Sequence, residues 1–344
     1  MSQNLQADIL FTFPAVDESR IDSLLRAELD RSRQKLVVLD DDPTGVQTVH
    51  DVSVYTDWSY ESIRSGFDED SRIFFLLTNS RGFTAEQTTA VHIEIAETVH
   101  RAAQDCGQDY LLISRSDSVM RGHYPLETRL LKDTIEKHSE QRFDGEILCP
   151  FFKEGGRYTI GNIHYVRYGD TLTPAGETEF ARDKTFGYRS SDIREYVEEK
   201  TAGEFPAAEV TVISLDDLRA LRIERITEQL NAVSGFRKVV VNAVDYCDIK
   251  VFCIALFRSL AAGKRFLFRT AASLVKVLGG ISDRPLLSRS EMVLTENGNG
   301  GIIVVGSHTQ KTTQQLNTLR EIDGLEFIEF NSDLVTDDRL FEEE

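Results

Sequence analysis

Three consecutive aspartates, Asp40-Asp41-Asp42, run into Pro43-Thr44-Gly45 directly after the apolar run 35–39. Carboxylates crowded this closely raise one another's pKa unless a cation, a basic side chain or a hydroxyl compensates them. Their chemistry suits Mg²⁺ binding or removal of a proton from a hydroxyl. Asp41 and Asp42 suit equally well the capping of a turn at Pro43-Thr44-Gly45. Basic loops follow three later apolar runs. Asn79-Ser80-Arg81-Gly82 comes after 73–78, and Arg115-Ser116-Asp117-Ser118, then Arg121-Gly122-His123, after 110–114. Lys153, Gly155-Gly156-Arg157 and Thr159 come after 146–149. Arg81, Arg115, Arg121 and Arg157 in such loops match a carboxylate pocket, because guanidinium forks grip carboxylates bidentately. His123 and His164 read as structural histidines before catalytic ones.

The runs that carry these loops are 35–39, 52–55, 73–78, 110–114, 146–149, 210–213, 238–241 and 265–269. They are rich in Val, Ile, Leu and Phe and mostly do not alternate, which predicts strands covered on both faces, as in a parallel sheet. Helical patterns separate several of them. After Thr84, residues Val91, Ile95, Val99, Ala102 and Cys106 make a helical stripe. Thr84 and Gln87 fit a capping box there, and Gly107 is placed to end the helix. The alternation predicts an α/β fold, doubly wound around a mostly parallel sheet. Ligands of such sheets bind beyond the carboxyl ends of the strands, so the acidic loop and the basic loops should share one edge.

A first domain is expected over 1–285 and a linker over 286–301, which ends in Asn297-Gly298-Asn299-Gly300-Gly301. Beyond it, 302–305 reads as a strand, Gly306-Ser307-His308-Thr309 as a turn, 312–322 as a helix and 326–330 as a strand. That is the first β-α-β of a second α/β domain over 302–344, with too little apolar surface for an independent core.

Lys plus Arg number 39 against 57 Asp plus Glu, a net charge of −18. With no basic run, nucleic acid and anionic membranes are poor partners. Cys106, Cys149, Cys247 and Cys253 show neither a disulfide framework nor a CxxC pair, and no structural metal is expected. The first twenty residues lack a basic start with a long apolar core, so the expected location is cytoplasmic.

The blocks VVLDDDPTGVQTVHDVSVYT, TNSRGF, SRSDSVMRGHYPLE, PFFKEGGRYTIGNIHYV, FGYRSSDIREYVEEKT and VVGSHTQKTTQQL stand in this order. Together, over roughly residues 35–320, they resemble the four-carbon acid sugar kinase family. The resemblance implies an N-terminal acid-sugar-binding domain and a C-terminal nucleotide-binding domain. It also implies phosphorylation of threonate-like or erythronate-like acids with ATP and Mg²⁺. The family's Asp-Asp-x-Thr-Gly, Ser-Arg and (Lys/Arg)-x-Asp-Ser loops carry over to Asp42, Arg81, and Arg115 with Ser116, Asp117 and Ser118. Its Gly-Ser-x-Ser/Thr turn carries over to Gly306, Ser307 and Thr309 as nucleotide-binding residues. Arg115 stands where many members carry Lys, and the later glycine-rich loops of the nucleotide domain are absent.

On these grounds the expected substrate is a small polyhydroxy carboxylate. Arg81 and Arg115 are expected to clamp it, with Arg157 also in contact. Asp42 first, and Asp117 second, would take the hydroxyl proton. The alternative is an acid-binding protein without kinase activity. Dimerisation is an expectation of the same resemblance.

Overall fold

The computed structural model describes residues 3–293, 299–307, 309–336 and 338–343. The chain divides into two units, Met1–Arg284 and Pro285–Glu344.

In the first unit the strands are β1 (Leu5–Gln6), β2 (Lys35–Asp40), β3 (Ser53–Tyr55), β4 (Ile73–Leu77), β5 (Tyr110–Arg115) and β6 (Gly145–Cys149). They continue as β7 (Arg157–Ile160), β8 (Ile163–Tyr168), β9 (Thr171–Pro174), β10 (Thr211–Ile213), β11 (Arg237–Val241) and β12 (Phe266–Thr270). The helices are α1 (Glu18–Arg31), α2 (Tyr60–Asp68), α3 (Ala85–Asp105), α4 (Leu126–His138), α5 (Ile193–Lys200), α6 (Leu215–Arg219), α7 (Ile223–Asn231), α8 (Tyr246–Ala261) and α9 (Ala272–Gly279).

Among the described residues, eight strands make one sheet in the order β10-β11-β6-β12-β5-β2-β4-β3. Every neighbouring pair in it is parallel. All eight apolar runs of the sequence are in it, within one residue or so at each end.

Alternate residues of each strand point to opposite faces, and both faces are buried here. Leu36, Val38, Ile73, Phe75, Leu111, Ile113, Ile147 and Cys149 face one layer, which contains Ile21 and Leu25 of α1, Ile226 and Leu230 of α7 and the apolar length of α8. Val37, Leu39, Phe74, Leu76 and Leu112 face the other, with Ile63 of α2, Ile95 and Val99 of α3 and Leu131 of α4. This two-sided burial is why the strands read as unbroken hydrophobic runs. The α/β fold, doubly wound on a mostly parallel sheet, follows from that reading.

Helix α3 starts as its sequence directs. Thr84 accepts from the Gln87 amide and the Gln87 side chain accepts from the Thr84 amide, while Gly107 follows the helix at φ +62°. Thr84→Ala should cost about 1 kcal/mol, the usual value of an N-cap, seen as a lower denaturant midpoint. An unchanged midpoint would mean that water replaces the cap without loss.

The sequence reading missed a second sheet, antiparallel, in the order β1-β9-β8-β7. Arg157 and Thr159, read as part of a loop after β6, instead lie on strand β7. A two-residue turn at Gly161 (φ +56°) and Asn162 (φ +70°) joins β7 to β8, the left-handed pair that a tight hairpin demands. Thr159 pairs with Ala243 just beyond β11, which ties the hairpin to the carboxyl edge of the large sheet.

In the second unit, α10 (Arg289–Met292), α11 (Gln310–Leu319) and α12 (Asp338–Glu343) are the α-helices among the described residues. The helix expected over 312–322 is α11, capped by Thr309. The expected strands 302–305 and 326–330 do not form. A strand needs a ladder partner, and Ile302, Val304 and Ile328 remain more than four-fifths exposed. Of the predicted linker, residues 294–298 lie outside the described residues. No helix of the described residues is long and apolar enough to cross a membrane.

Candidate functional site

Strand β2 lies between β4 and β5, and the chain leaves it first to one side and then to the other. This reversal makes a crevice at the carboxyl ends of β2 and β5, the usual ligand position in an open parallel sheet. Asp40, Asp41 and Asp42 emerge from β2 at that point, and Arg115 ends β5 beside Asp40. The loops are stitched together by backbone. The Asp41 amide donates to the Arg115 carbonyl (3.3 Å), the Arg81 amide to the Asp41 carbonyl (3.2 Å), and the Ser116 amide to the Thr270 carbonyl (2.8 Å).

The side chains of four predicted residues converge here. Arg81 spans two aspartates: its Nη2 and Nε donate to Asp41 at 2.7 and 3.2 Å, and its Nη1 pairs with Asp42. Arg115 is buried at 5% exposure and donates to Asp40 and to Asp42 Oδ1 at 3.3 Å, with Asp41 at 3.8 Å. Asp42 also accepts from the Thr44 amide at 2.7 Å, so it caps the turn in the way the Pro43-Thr44-Gly45 sequence allows. Asp117 accepts from Arg121 Nε at 2.6 Å. Burial opposes ionisation of Asp117, but Arg81, Arg121 and Arg157 outweigh it and hold its carboxyl below the ordinary range.

Asp41 behaves in the opposite way. Burial dominates over the Arg81 charge, the Glu127 charge adds to it, and the carboxyl is pushed up to about 7. Burial thus sets the basicity of Asp41, whereas the surrounding arginines set that of Asp117.

Arg157 reaches this group from β7. Its guanidinium lies 5.6 Å from the Phe180 ring centre, and that of Arg121 lies 5.1 Å from the same ring. Ser116 is buried and its carbonyl accepts from Arg115 (3.3 Å). The Ser118 carbonyl accepts from His164 Nε2 (2.7 Å), while Thr159 Oγ1 lies 3.0 Å from His164 Nδ1. His164 is therefore a buried structural histidine, and desolvation takes its pKa down to about 4. His123 bonds the Phe83 carbonyl (2.9 Å). In the second unit, Thr309 Oγ1 accepts from the Thr312 amide and Ser307 Oγ from the Thr309 amide, so both hydroxyls serve the start of α11. Gly306 is exposed beside them.

Asp40, Asp41 and Asp42 offer oxygens within 4.8 Å of one another, close enough for a cation. All three are already opposed by Arg81 or Arg115. A resident Mg²⁺ would have to displace two guanidinium groups, so the triad as arranged does not fit one.

Beneath the predicted residues lies a pair that the sequence reading did not name as a site. Arg269, at the end of β12, pairs with Glu127 of α4 and donates to Ser114 Oγ at 3.0 Å. Glu127 also accepts from Ser80 Oγ at 2.9 Å. The available signals were an arginine closing the apolar stretch Phe266-Leu267-Phe268 and a glutamate in register with Leu131 and Ile135. Phe180, on a short 3-10 turn (Glu179–Arg182), carried no signal at all. Two cavities lie away from this edge. One of about 280 Å³ is lined by Arg129, Lys132, Phe205, Phe236 and Lys238. The other is an open groove beside Tyr165, Arg189 and Glu199.

The structure is similar to a Salmonella typhimurium LT2 protein provisionally named a tRNA synthase, at 14% identity and a TM-score of 0.52. It is also similar to a Haemophilus influenzae protein of the family called DUF1537, at 16% identity and a TM-score of 0.48. The similarity covers 84% and 83% of this chain, respectively, and the chain spans 65% of the length of each relative. The first of these likenesses supports the fold alone. No curated protein matches the chain. Residues 36–278, which run from β2 into α9 and include every residue of the strand-end cluster, match the family described as the sugar-binding N-terminal domain, and the chain belongs to that family.

Proposed function

We propose that the first unit binds a small polyhydroxy carboxylate, a four-carbon sugar acid of the threonate or erythronate kind. In this reading the chain is the acid-binding part of an ATP-dependent kinase acting on one hydroxyl of that acid. The observation that carries it is the meeting of Asp41, Asp42, Arg81, Asp117, Arg121 and Arg157 at the switch point of the sheet. Carboxylates are acceptors for sugar hydroxyls and guanidinium groups are donors for an acid, so both halves of the ligand find complementary chemistry in one place. Membership of a sugar-binding family supports the same substrate class.

Catalysis of this kind is positioning and charge stabilisation. Asp42 is the most open carboxylate of the acidic loop, with 17% of its side chain exposed, and accepts the proton of the attacking hydroxyl. That hydroxyl oxygen forms the new bond to the γ-phosphorus of ATP as the bond to ADP breaks. ATP enters as a substrate with its own Mg²⁺, and Gly306, Ser307 and Thr309 are the proposed contacts on the nucleotide side.

Titration calorimetry of the chain against threonate, erythronate and their neutral polyols tests the binding, and acid-dependent ADP release tests the transfer. Acid binding with ADP release is the expected result for the complete kinase. Acid binding without release leaves the acid-binding role alone. No binding of either acid overturns the substrate class.

A further inference from the structure

Beside Arg269, which pairs with Glu127, four further guanidinium groups meet at the strand ends, and they differ in what they already hold. Arg115 faces Asp40, Asp41 and Asp42, and Arg81 holds Asp41 and Asp42. Arg121 holds Asp117 at 2.6 Å, with Asp183 at 3.8 Å. Arg157 is different. Among the described residues no carboxylate lies within ion-pair distance of it, its Nη1 donates to the Gly155 carbonyl, and its buried Nε has no partner.

A largely buried guanidinium without an anion is an expensive arrangement, since burial disfavours its charge. The pKa of Arg157 moves down accordingly: desolvation is the main cause, and the nearby Asp117 offsets it only in part. Phe180 compensates on one side, its ring facing both Arg157 and Arg121. The remaining donors of Arg157 are those that a carboxylate would satisfy.

Resting on the proposed acid-binding function, we infer that Arg157, steadied beside Arg121 on the Phe180 ring, is the residue that selects the carboxylate of the substrate. Arg81 and Arg115, the clamp expected from the sequence, instead hold the aspartate loop in shape for the hydroxyls. The second sheet thereby supplies the acid specificity and the parallel sheet supplies the hydroxyl chemistry. An arginine fork already shared between two aspartates has little to offer a third carboxylate, whereas an unpaired one gains a full charge-assisted bond.

The test compares the affinity of the 344-residue chain for threonate with that for threitol, its neutral polyol. The wild type should prefer the acid, and Arg157→Gln should lower that preference by at least about tenfold with threitol binding little changed. Arg157→Lys, which keeps the charge but not the fork, should fall between them, and it carries the test if the glutamine variant does not fold. An acid preference that survives in both variants overturns the inference while leaving acid binding intact. So does a preference lost only in Arg81→Gln. A wild type that binds neither threonate nor erythronate overturns the acid-binding function and this inference together.

Discussion

Replacing Asp41 with asparagine should make the stability of the protein markedly less sensitive to pH between about pH 5 and pH 8. The Asp41 carboxyl ionises near 3.8 in an unfolded chain and is pushed up to about 7 in the fold, first by burial and then by the Glu127 charge, against the pull of Arg81. The folded protein therefore keeps a proton that the unfolded chain has lost. Stability from this group is present at low pH and is lost as pH rises toward 7. Over the window from about pH 5 to pH 8 the loss is about 3 kcal/mol.

An asparagine side chain does not titrate, so the variant should lack that slope. His92, His100 and His164, all held below their ordinary value first by burial, titrate in both proteins and cancel in the comparison. Asp117 and Glu127, held below theirs by arginines that outweigh burial, act at lower pH. Urea melts of both proteins at the two ends of the window decide it. Parallel pH dependence would show that Asp41 is ionised throughout.

The second large effect is expected at Gly45, which is buried at the end of the aspartate loop. A methyl group there would run into the Asp40 carboxylate and the Arg115 guanidinium, neither of which can retreat from a buried pair. Gly45→Ala should cost about 3 kcal/mol, within the range for breaking a buried ion pair, and should abolish the proposed acid binding because Asp41 and Asp42 shift with the loop. Gly82→Ala is the control: an added Cβ there meets nothing within 4 Å, and its melt should match the wild type. Equal midpoints for the two variants would show that the loop relaxes around the methyl group.

What the sequence disclosed follows from the same physics. Strands buried on both faces must be apolar throughout, so 35–39 and 73–78 announced themselves, and the strand-end rule located Asp42, Arg81, Arg115 and Asp117. The hairpin of β7 and β8 was legible only through its Gly161-Asn162 turn. Its residues Arg157 and Thr159 looked like loop polarity because their partners, Phe180 and Ala243, are supplied by distant stretches of chain. Charge pairing was equally hidden. A list of arginines cannot say which of them are already neutralised, and that distinction separates Arg115 from Arg157. The runs 302–305 and 326–330 have strand-like composition, but composition supplies no hydrogen-bonding partner.

The place of β12 has a consequence for how the molecule comes into being. It is the last strand of the large sheet in chain order, yet it sits between β5 and β6, pairing with both. Until residue 270 has been synthesised, β5-β2-β4-β3 and β10-β11-β6 are separate half-sheets, each with a raw apolar edge. Contacts this distant along the chain are slow to close, and the exposed edges invite pairing with other molecules in the meantime. Arg269 and Thr270 arrive with the same strand, so the carboxyl edge that carries the charged cluster is completed in the closing step of assembly. A nascent chain cannot assemble the strand-end cluster before its sheet is whole.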